Sequence, residues 1–125
     1  MATQIWLTLA LIALGGLGSV LRFLLSQWQG FLPWGILTGN VVASMIFGAS
    51  LGAGNGLGAA QPILMGLLAT GFAGGLSTFS SWAAQTAGFV QAKKGRAALW
   101  NTVLNLVLPV LAVIVGMNVG AFLLK

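Results

Sequence analysis

Glycines and hydroxyl side chains dominate one stretch, Gly74–Trp82, in the middle of a long apolar segment. Such a cluster weakens a helix, because glycine costs about 1 kcal/mol relative to alanine and Ser/Thr side chains compete for backbone groups. Irregular backbone at membrane depth is tolerated only where protein buries it or water lines it. Freed carbonyls there can bind a cation, and hydroxyls can line an anion path. A kinked packing helix explains the same residues, so composition alone leaves both interpretations open.

The chain contains no Asp, Glu, His, Cys or Tyr. By reference values, no side chain therefore titrates between roughly pH 2 and 10. This excludes carboxylate, imidazole and thiolate metal ligands, the usual catalytic acids, bases and thiols, and the embedded acids of proton-coupled transporters. We predict that the protein is not an enzyme. A passive anion pathway needs no titrating group, since hydroxyl and amide donors such as Asn40, Ser80 and Ser81 can solvate an anion.

The composition fits lipid as the surrounding solvent. Of 125 residues, 58% are hydrophobic and 4% are charged, whereas a soluble domain carries about 25% charged residues. All five charges are positive, and they are too few in too apolar a chain to favour nucleic-acid binding. Membrane lipid is the expected environment, with no nucleic-acid partner.

Four apolar runs are each long enough to cross a bilayer, which takes about 20 residues. We predict an all-α integral membrane protein, a single domain over residues 1–125, with a break in the middle of the third helix. The first run lacks a basic start and is too long for a signal peptide. The expected helices cover residues 5–25, 34–53, 62–90 and 98–124.

Paired glycines four residues apart predict close helix packing. Without a hydrophobic drive between helices in lipid, small residues let backbones approach and supply packing energy. The pairs are Gly35/Gly39, Gly48/Gly52, Gly71/Gly75 and Gly116/Gly120.

Three segments in order resemble the signatures of the Fluc/CrcB family of fluoride channels: residues 15–23 (GGLGSVLRF), 35–40 (GILTGN) and 71–80 (GFAGGLSTFS). The resemblance implies an antiparallel dimer with two pores at its interface, each conducting fluoride out of the cell. It also implies a structural sodium ion at the dimer centre, bound by the main-chain carbonyls of Gly74 and Ser77. It implies no organic cofactor.

The resemblance places six residues along the fluoride pore: Arg22, Asn40, Phe79, Ser80, Ser81 and Trp82. Trp82 stands where the family has a second pore phenylalanine, and it either touches the anion or fills the pore. Ala83, Gln85 and Pro109 also depart from the family pattern. These departures put one pore lining in question and leave the sodium site and the fold unaffected.

Several of these residues have a second interpretation. Asn40 needs a hydrogen-bond partner in an apolar helix, and helix–helix bonding or an ion pathway would both supply one. Phe79 is either pore or plain core. Arg22 is either a snorkelling anchor or part of a vestibule. Asn101 and Asn105 lie one turn apart, and whether they face the pore stays open.

The distribution of charge predicts an orientation. Lys93, Lys94 and Arg96, here called the loop cations, follow the third run, and Arg22 lies near the same face. Positive-inside reasoning places the loops in the cytoplasm and both termini outside, in the inner membrane of a bacterial cell. Only Lys125 and the terminal amine oppose this bias.

A clear charge bias disfavours insertion of one chain in both directions. The alternative to a homodimer is therefore one subunit of a two-gene heterodimeric fluoride channel with a degenerate pore lining. A small multidrug-type exporter is disfavoured because its mechanism needs an embedded glutamate, and the sequence has none. A further alternative is a non-conducting scaffold subunit, for which close helix packing through the glycines would be sufficient.

Overall fold

The computed structural model describes residues 1–54, 56 and 58–124 and is helical nearly throughout, with no strand in these ranges. Lys125, one of the five charged residues of the sequence, lies outside the described residues. The observed ends of the four spans differ from the expected ones by at most four residues. The α-helices are α1 (Ala2–Ser26), α2 (Trp34–Gly52), α3 (Gln61–Gly66), α4 (Gly74–Leu76), α5 (Phe79–Gln91) and α6 (Gly95–Leu123).

The third span is a composite of short segments. A 3-10 turn (Gly58–Ala60) leads into α3, and a π-helical segment (Leu67–Ala73) joins α3 to α4. After α4, Ser77 and Thr78 are extended before α5 begins. The described chain holds four helical stretches long and apolar enough to cross a membrane: Ala2–Ser26, Trp34–Gly52, Gly58–Gln91 and Gly95–Leu123. The predicted all-helical, four-span chain is confirmed.

Helices α2 and α6 form the most extensive helix pair, and glycines bring their backbones together. A Cβ added to Gly48 would clash with the Val113 carbonyl of α6, and one added to Gly52 would clash with the Met117 carbonyl. A Cβ added to Gly116 or Gly120 would likewise clash with main-chain atoms of α2. These four glycines are here called the glycine seam. Backbone contact of this kind is how small residues hold helices together in lipid.

The loops meet at one end of the helices. Gly30 and Phe31 of the first loop share a cleft of about 480 Å³ with the loop cations. At the other end, Gly56 lies against Leu124, just after the end of α6. The outward faces are apolar, with large exposed side chains such as Trp6 on α1 and Phe122 on α6. This surface is the one that lipid covers.

Candidate ion pathway

The third span is interrupted at two residues, Ser77 (φ −76°, ψ 152°) and Thr78 (φ −155°, ψ 127°). This segment is here called the break. It follows Gly74 and Gly75, which have low helix propensity, and it precedes Ser80 and Ser81. The Thr78 side chain caps the new helix, since its Oγ1 accepts a hydrogen bond from the Ser81 N–H (3.2 Å). A threonine at this position stabilises a helix N-terminus by about 1 kcal/mol.

Asn40 of α2 binds the backbone of the break. Its Nδ2 donates to the Thr78 carbonyl (3.2 Å), and its Oδ1 accepts from the Thr78 N–H (2.8 Å). The other Nδ2 hydrogen goes to Asn105 Oδ1 on α6 (2.9 Å). The structure thus shows Asn40 in helix–helix bonding, with both N–H groups occupied, while its side chain also lines the groove described below.

The break leaves several carbonyls without their usual helical donors, and those of Gly74 and Ser77 are among them. In a continuous helix, the Thr78 N–H would reach the Gly74 carbonyl and the Ser81 N–H would reach that of Ser77. Here the first donates to Asn40 and the second to Thr78 Oγ1. Neutral carbonyl oxygens are hard ligands that suit a cation such as sodium. The Gly74 carbonyl beside the break and the Ser77 carbonyl within it are two oxygens of this kind.

Helix α1 supports the break from the other side. Arg22 Nη1 donates to the Ser77 carbonyl (3.2 Å), and Ser19 Oγ donates to the Gly75 carbonyl (3.4 Å). Arg22 is half-buried, so it contacts the break rather than lying free at the surface. A carbonyl oxygen has two lone pairs, and the Arg22 hydrogen bond uses one of them.

The start of α5 presents aromatic and hydroxyl groups on the surface of the monomer. Phe79 is 73% exposed, and Ser80 is also exposed. Thr78 Oγ1 donates to Ser81 Oγ (3.2 Å) and lies 3.2 Å from Ser80 Oγ, so three hydroxyls are grouped. Phe79 meets Trp82 edge to face, with ring centroids 4.7 Å apart. The predicted pore residues of this helix therefore lie together.

Trp82 is anchored to α6. Its indole Nε1 donates to the main-chain carbonyl of Asn101 (3.1 Å), which sets the direction of the ring. Of the other departures from the family pattern, Gln85 has a buried Oε1 with no hydrogen-bond partner among the described residues. Pro109 lies inside α6 and has no N–H, so the Asn105 carbonyl lacks the donor that another residue would supply.

A groove of about 190 Å³ joins these residues. Its polar wall consists of Asn40, Ser44, Ser77, Thr78 and Asn105, and its apolar wall includes Phe79, Trp82 and Pro109. A neighbouring groove of about 230 Å³ is lined by Gly74 and by the shared residues Ser44 and Ser77. Since the sequence has no acid, neither groove carries a fixed negative charge.

Thr78, Ser44 and the α6 asparagines belong to this site, although they were not among the predicted pore residues. The sequence analysis noted the one-turn spacing of Asn101 and Asn105 and left open whether they face the pore. Thr78 could have been selected by the preference of threonine for helix N-termini. Ser44 gives no such signal, since a serine one turn after Asn40 is common in packed membrane helices. Within the described residues, no three His, Cys, Asp or Glu side chains form a metal site.

Four apolar spans and a polar break lined by carbonyls and hydroxyls define a multi-pass membrane protein. The family model described as "CrcB-like protein, Camphor Resistance (CrcB)" matches residues 9–117, and the chain belongs to this family.

Curated relatives are 36–38% identical to the chain over aligned segments of 99–104 residues. The chain is 38% identical over 99 residues to the fluoride-specific ion channel FluC of Leptospira interrogans (strain Fiocruz L1-130), covering 74% of the chain and 76% of that protein. FluC of Klebsiella pneumoniae (strain 342) is 38% identical over 100 residues, with the same coverage. FluC of Enterobacter sp. (strain 638) is 36% identical over 104 residues, covering 80% and 82%.

Proposed function

We propose that the chain is a subunit of a fluoride-specific passive channel that exports fluoride and lowers its cytoplasmic concentration. The relatives are named fluoride-specific ion channels. The observation that carries the proposal is the groove at the break, where hydroxyls and aromatic edges meet without any fixed negative charge. Aromatic ring edges carry positive quadrupole density and can face an anion. An interior-negative potential drives anions outward at about 2.3 kcal/mol per charge per 100 mV.

The exposure of the residues that flank the break supports a dimer. Gly74, Phe79 and Ser80 lie on the surface of the monomer, in the middle of a span. Irregular backbone is not stable against lipid, so this face needs a protein or water cover. A second copy in antiparallel orientation would cover it and would complete two pores at the interface. Each pore would then be lined by Asn40, Phe79, Ser80, Ser81 and Trp82, with Arg22 supporting the break behind it.

The test is fluoride efflux from proteoliposomes, followed with a fluoride electrode and compared with chloride efflux. Phe79→Ile removes the exposed ring of the groove and is expected to reduce fluoride flux at least tenfold. Phe122→Ile is the matched control, since Phe122 is similarly exposed (79%) but lies far from the break on α6. Chloride passing as readily as fluoride would overturn the proposal.

A second substitution tests the absence of negative charge. Asn40→Asp places a carboxylate in the groove and is expected to suppress anion flux, because like charges at short range repel strongly in a low-dielectric site. Asn118→Asp makes the same change on α6, where Asn118 is exposed and donates only to the Ile114 carbonyl of its own helix. Equal flux in both variants would argue against an anion path past Asn40.

The sodium ion belongs to the same proposal. The Gly74 and Ser77 carbonyls, freed of their helical donors, fit the oxygen ligands that such an ion prefers. Bound sodium would neutralise the partial charge of these oxygens and join the two subunits at the centre. Replacing sodium chloride by choline chloride is therefore expected to lower the melting temperature of the purified dimer. An unchanged melting temperature would remove the support for this site.

The charge bias favours a second form of the channel. With the loop cations and the first loop at one end, one orientation in the bacterial inner membrane is favoured, with both termini outside. An oppositely oriented homologue from a second gene would then complete the dimer. Robust flux from the protein expressed alone would exclude an obligate two-gene pair. No flux with any partner would favour a scaffold subunit.

Orientation can be measured directly because the chain has no cysteine. Single cysteines at Thr3 and Lys93 would be labelled in intact cells with a membrane-impermeant thiol reagent. A fixed orientation predicts labelling of Thr3→Cys only, whereas dual insertion predicts partial labelling of both.

A further inference from the structure

We propose that Asn105 is a positioning residue for the pore. Together with Asn101 it fixes the direction of the Asn40 carboxamide and so holds Thr78 in its extended conformation. The inference rests on the proposed function, and it concerns three buried side chains, here called the asparagine network: Asn40, Asn101 and Asn105. Their exposed fractions are 9%, 1% and 9%. At such sites an unmade hydrogen bond is costly, so the network has one favoured arrangement.

The direction of hydrogen bonding in the network is set by a main-chain oxygen. Asn105 donates through Nδ2 to the Asn101 carbonyl (3.0 Å) and to Asn101 Oδ1 (3.2 Å). Because a carbonyl can only accept, the Nδ2 of Asn105 must face Asn101. The Oδ1 of Asn105 is then left facing Asn40, where it accepts from Asn40 Nδ2 (2.9 Å).

The orientation of Asn105 therefore determines that of Asn40. If the Asn105 carboxamide were reversed, two Nδ2 groups would face each other and its oxygen would face two oxygens of Asn101. With Asn105 as observed, Asn40 Nδ2 points to Asn105 and to the Thr78 carbonyl, and Asn40 Oδ1 receives the Thr78 N–H. Thr78 thus obtains from a side chain the two hydrogen bonds that a helix would otherwise give it.

The Asn101 main-chain carbonyl also orients Trp82, on the apolar wall of the groove. The Asn101 main-chain oxygen accepts from Trp82 Nε1 (3.1 Å) as well as from Asn105. Asn101 is held in turn by its own Nδ2, which donates to Thr86 Oγ1 on α5 (2.9 Å). The main-chain oxygen of Asn101 on α6 therefore sets the orientation of Asn105 on the polar wall of the groove and of Trp82 on its apolar wall. Since Asn40 has no free N–H in this arrangement, it acts on the pore chiefly by holding the break.

The experiment separates positioning from folding with two readouts. Proteoliposomes are prepared with few channels per vesicle, so that the fraction of vesicles that empty counts folded channels and the emptying rate measures each channel. Asn105→Leu is expected to lower the emptying rate about tenfold, the order expected for one lost buried hydrogen bond. Asn118→Leu, on the exposed face of the same helix, is the matched control and should leave the rate unchanged.

The second readout does not depend on conduction. Amide exchange of the Thr78 N–H, measured by NMR on threonine-labelled protein, should accelerate about tenfold or more in Asn105→Leu. The Thr102 N–H, within α6, should keep its wild-type exchange rate. Asn105→Asp serves if the leucine variant does not fold. The aspartate side chain has the size of asparagine and keeps an acceptor oxygen toward Asn40, but it turns its second oxygen toward the oxygens of Asn101. Asn105→Asp should therefore accelerate exchange of the Thr78 N–H, whereas the control Asn118→Asp should not.

The outcomes distinguish the two proposals. Wild-type emptying rates with unchanged Thr78 exchange in the Asn105 variants would overturn the positioning role and leave the channel intact. A wild-type protein without fluoride flux would overturn the channel, while accelerated Thr78 exchange would still show that Asn105 holds the break. Acceleration at Thr78 and Thr102 alike would mean general destabilisation and would also overturn the positioning role.

Discussion

Alanine at Gly116 should destabilise the protein, whereas alanine at Gly88 should stabilise it. A Cβ at Gly116 would stand on the Met45 carbonyl and the Ala49 N–H of α2, both main-chain atoms that cannot rotate away. A Cβ at Gly88, inside α5, meets nothing within 4 Å. The same chemical change therefore tests backbone contact at one position and helix propensity alone at the other.

The expected magnitudes follow from two opposing terms. Alanine in place of glycine stabilises a helix interior by about 1 kcal/mol at both positions. Overpacking costs about 1–3 kcal/mol, and the upper end applies at Gly116 because the obstacle is backbone. The net change in unfolding free energy is thus a loss of about 2 kcal/mol at Gly116 and a gain of about 1 kcal/mol at Gly88. The difference of about 3 kcal/mol corresponds to more than 100-fold in the unfolding equilibrium.

The assay is unfolding by sodium dodecyl sulfate in mixed micelles, followed by tryptophan fluorescence. The unfolding midpoint should move in opposite directions for the two variants. If Gly116→Ala were as stable as Gly88→Ala, the close approach of α2 and α6 would not be the contact that glycine maintains. The same sign of change in both variants would refute the reasoning.

Three further outcomes can be measured on the same purified protein. Thr78→Ala removes the cap of α5 and should lower the unfolding free energy by about 1 kcal/mol, whereas Thr78→Ser should retain most of it; equal losses would contradict the cap. Trp82→Phe keeps an aromatic ring beside Phe79 but loses the donor to Asn101, and it should cost about 1 kcal/mol in the same unfolding titration, so no change would argue against that hydrogen bond. The loop cations have no acidic partner in the sequence, so they are expected to bind anionic lipid, with about 1 kcal/mol per charge. The melting temperature should therefore be higher in nanodiscs of anionic lipid than in nanodiscs of neutral lipid. Changing all three loop cations to glutamine should abolish this difference.

Much of the fold follows from the sequence because lipid imposes simple requirements on it. A span needs about 20 apolar residues, and the four runs meet this requirement. The paired glycines predicted close packing, and Gly48 and Gly52 indeed contact α6 while Gly116 and Gly120 contact α2. The sequence could not show which helices would pair, since a small-residue pair is compatible with any partner that offers a flat backbone.

The site depends on contacts between residues far apart in the chain. Asn40 and Asn105 are 65 positions apart, and no local pattern indicates that their amides meet. Arg22 was predicted as an anchor or a vestibule residue, and its hydrogen bond to the Ser77 carbonyl adds a contact that neither interpretation includes. The composition of residues 74–82 predicted a weakened helix, but it could not indicate the hydrogen bonds that the break receives from α1 and α2. The roles of Phe79, Ser80, Ser81 and Trp82 in conduction stay predictions.

The glycine seam also constrains how such a gene can change over time. Substitutions on the lipid-facing sides of α1 and α6 exchange one apolar side chain for another at little cost, so these positions can drift. The four seam positions cannot, because each is filled by the backbone of the other helix. After a gene duplication, the two copies could therefore diverge in the residues around the break while each keeps the same α2–α6 unit. Specialisation of paired subunits would require no new fold, only different side chains on an unchanged backbone scaffold.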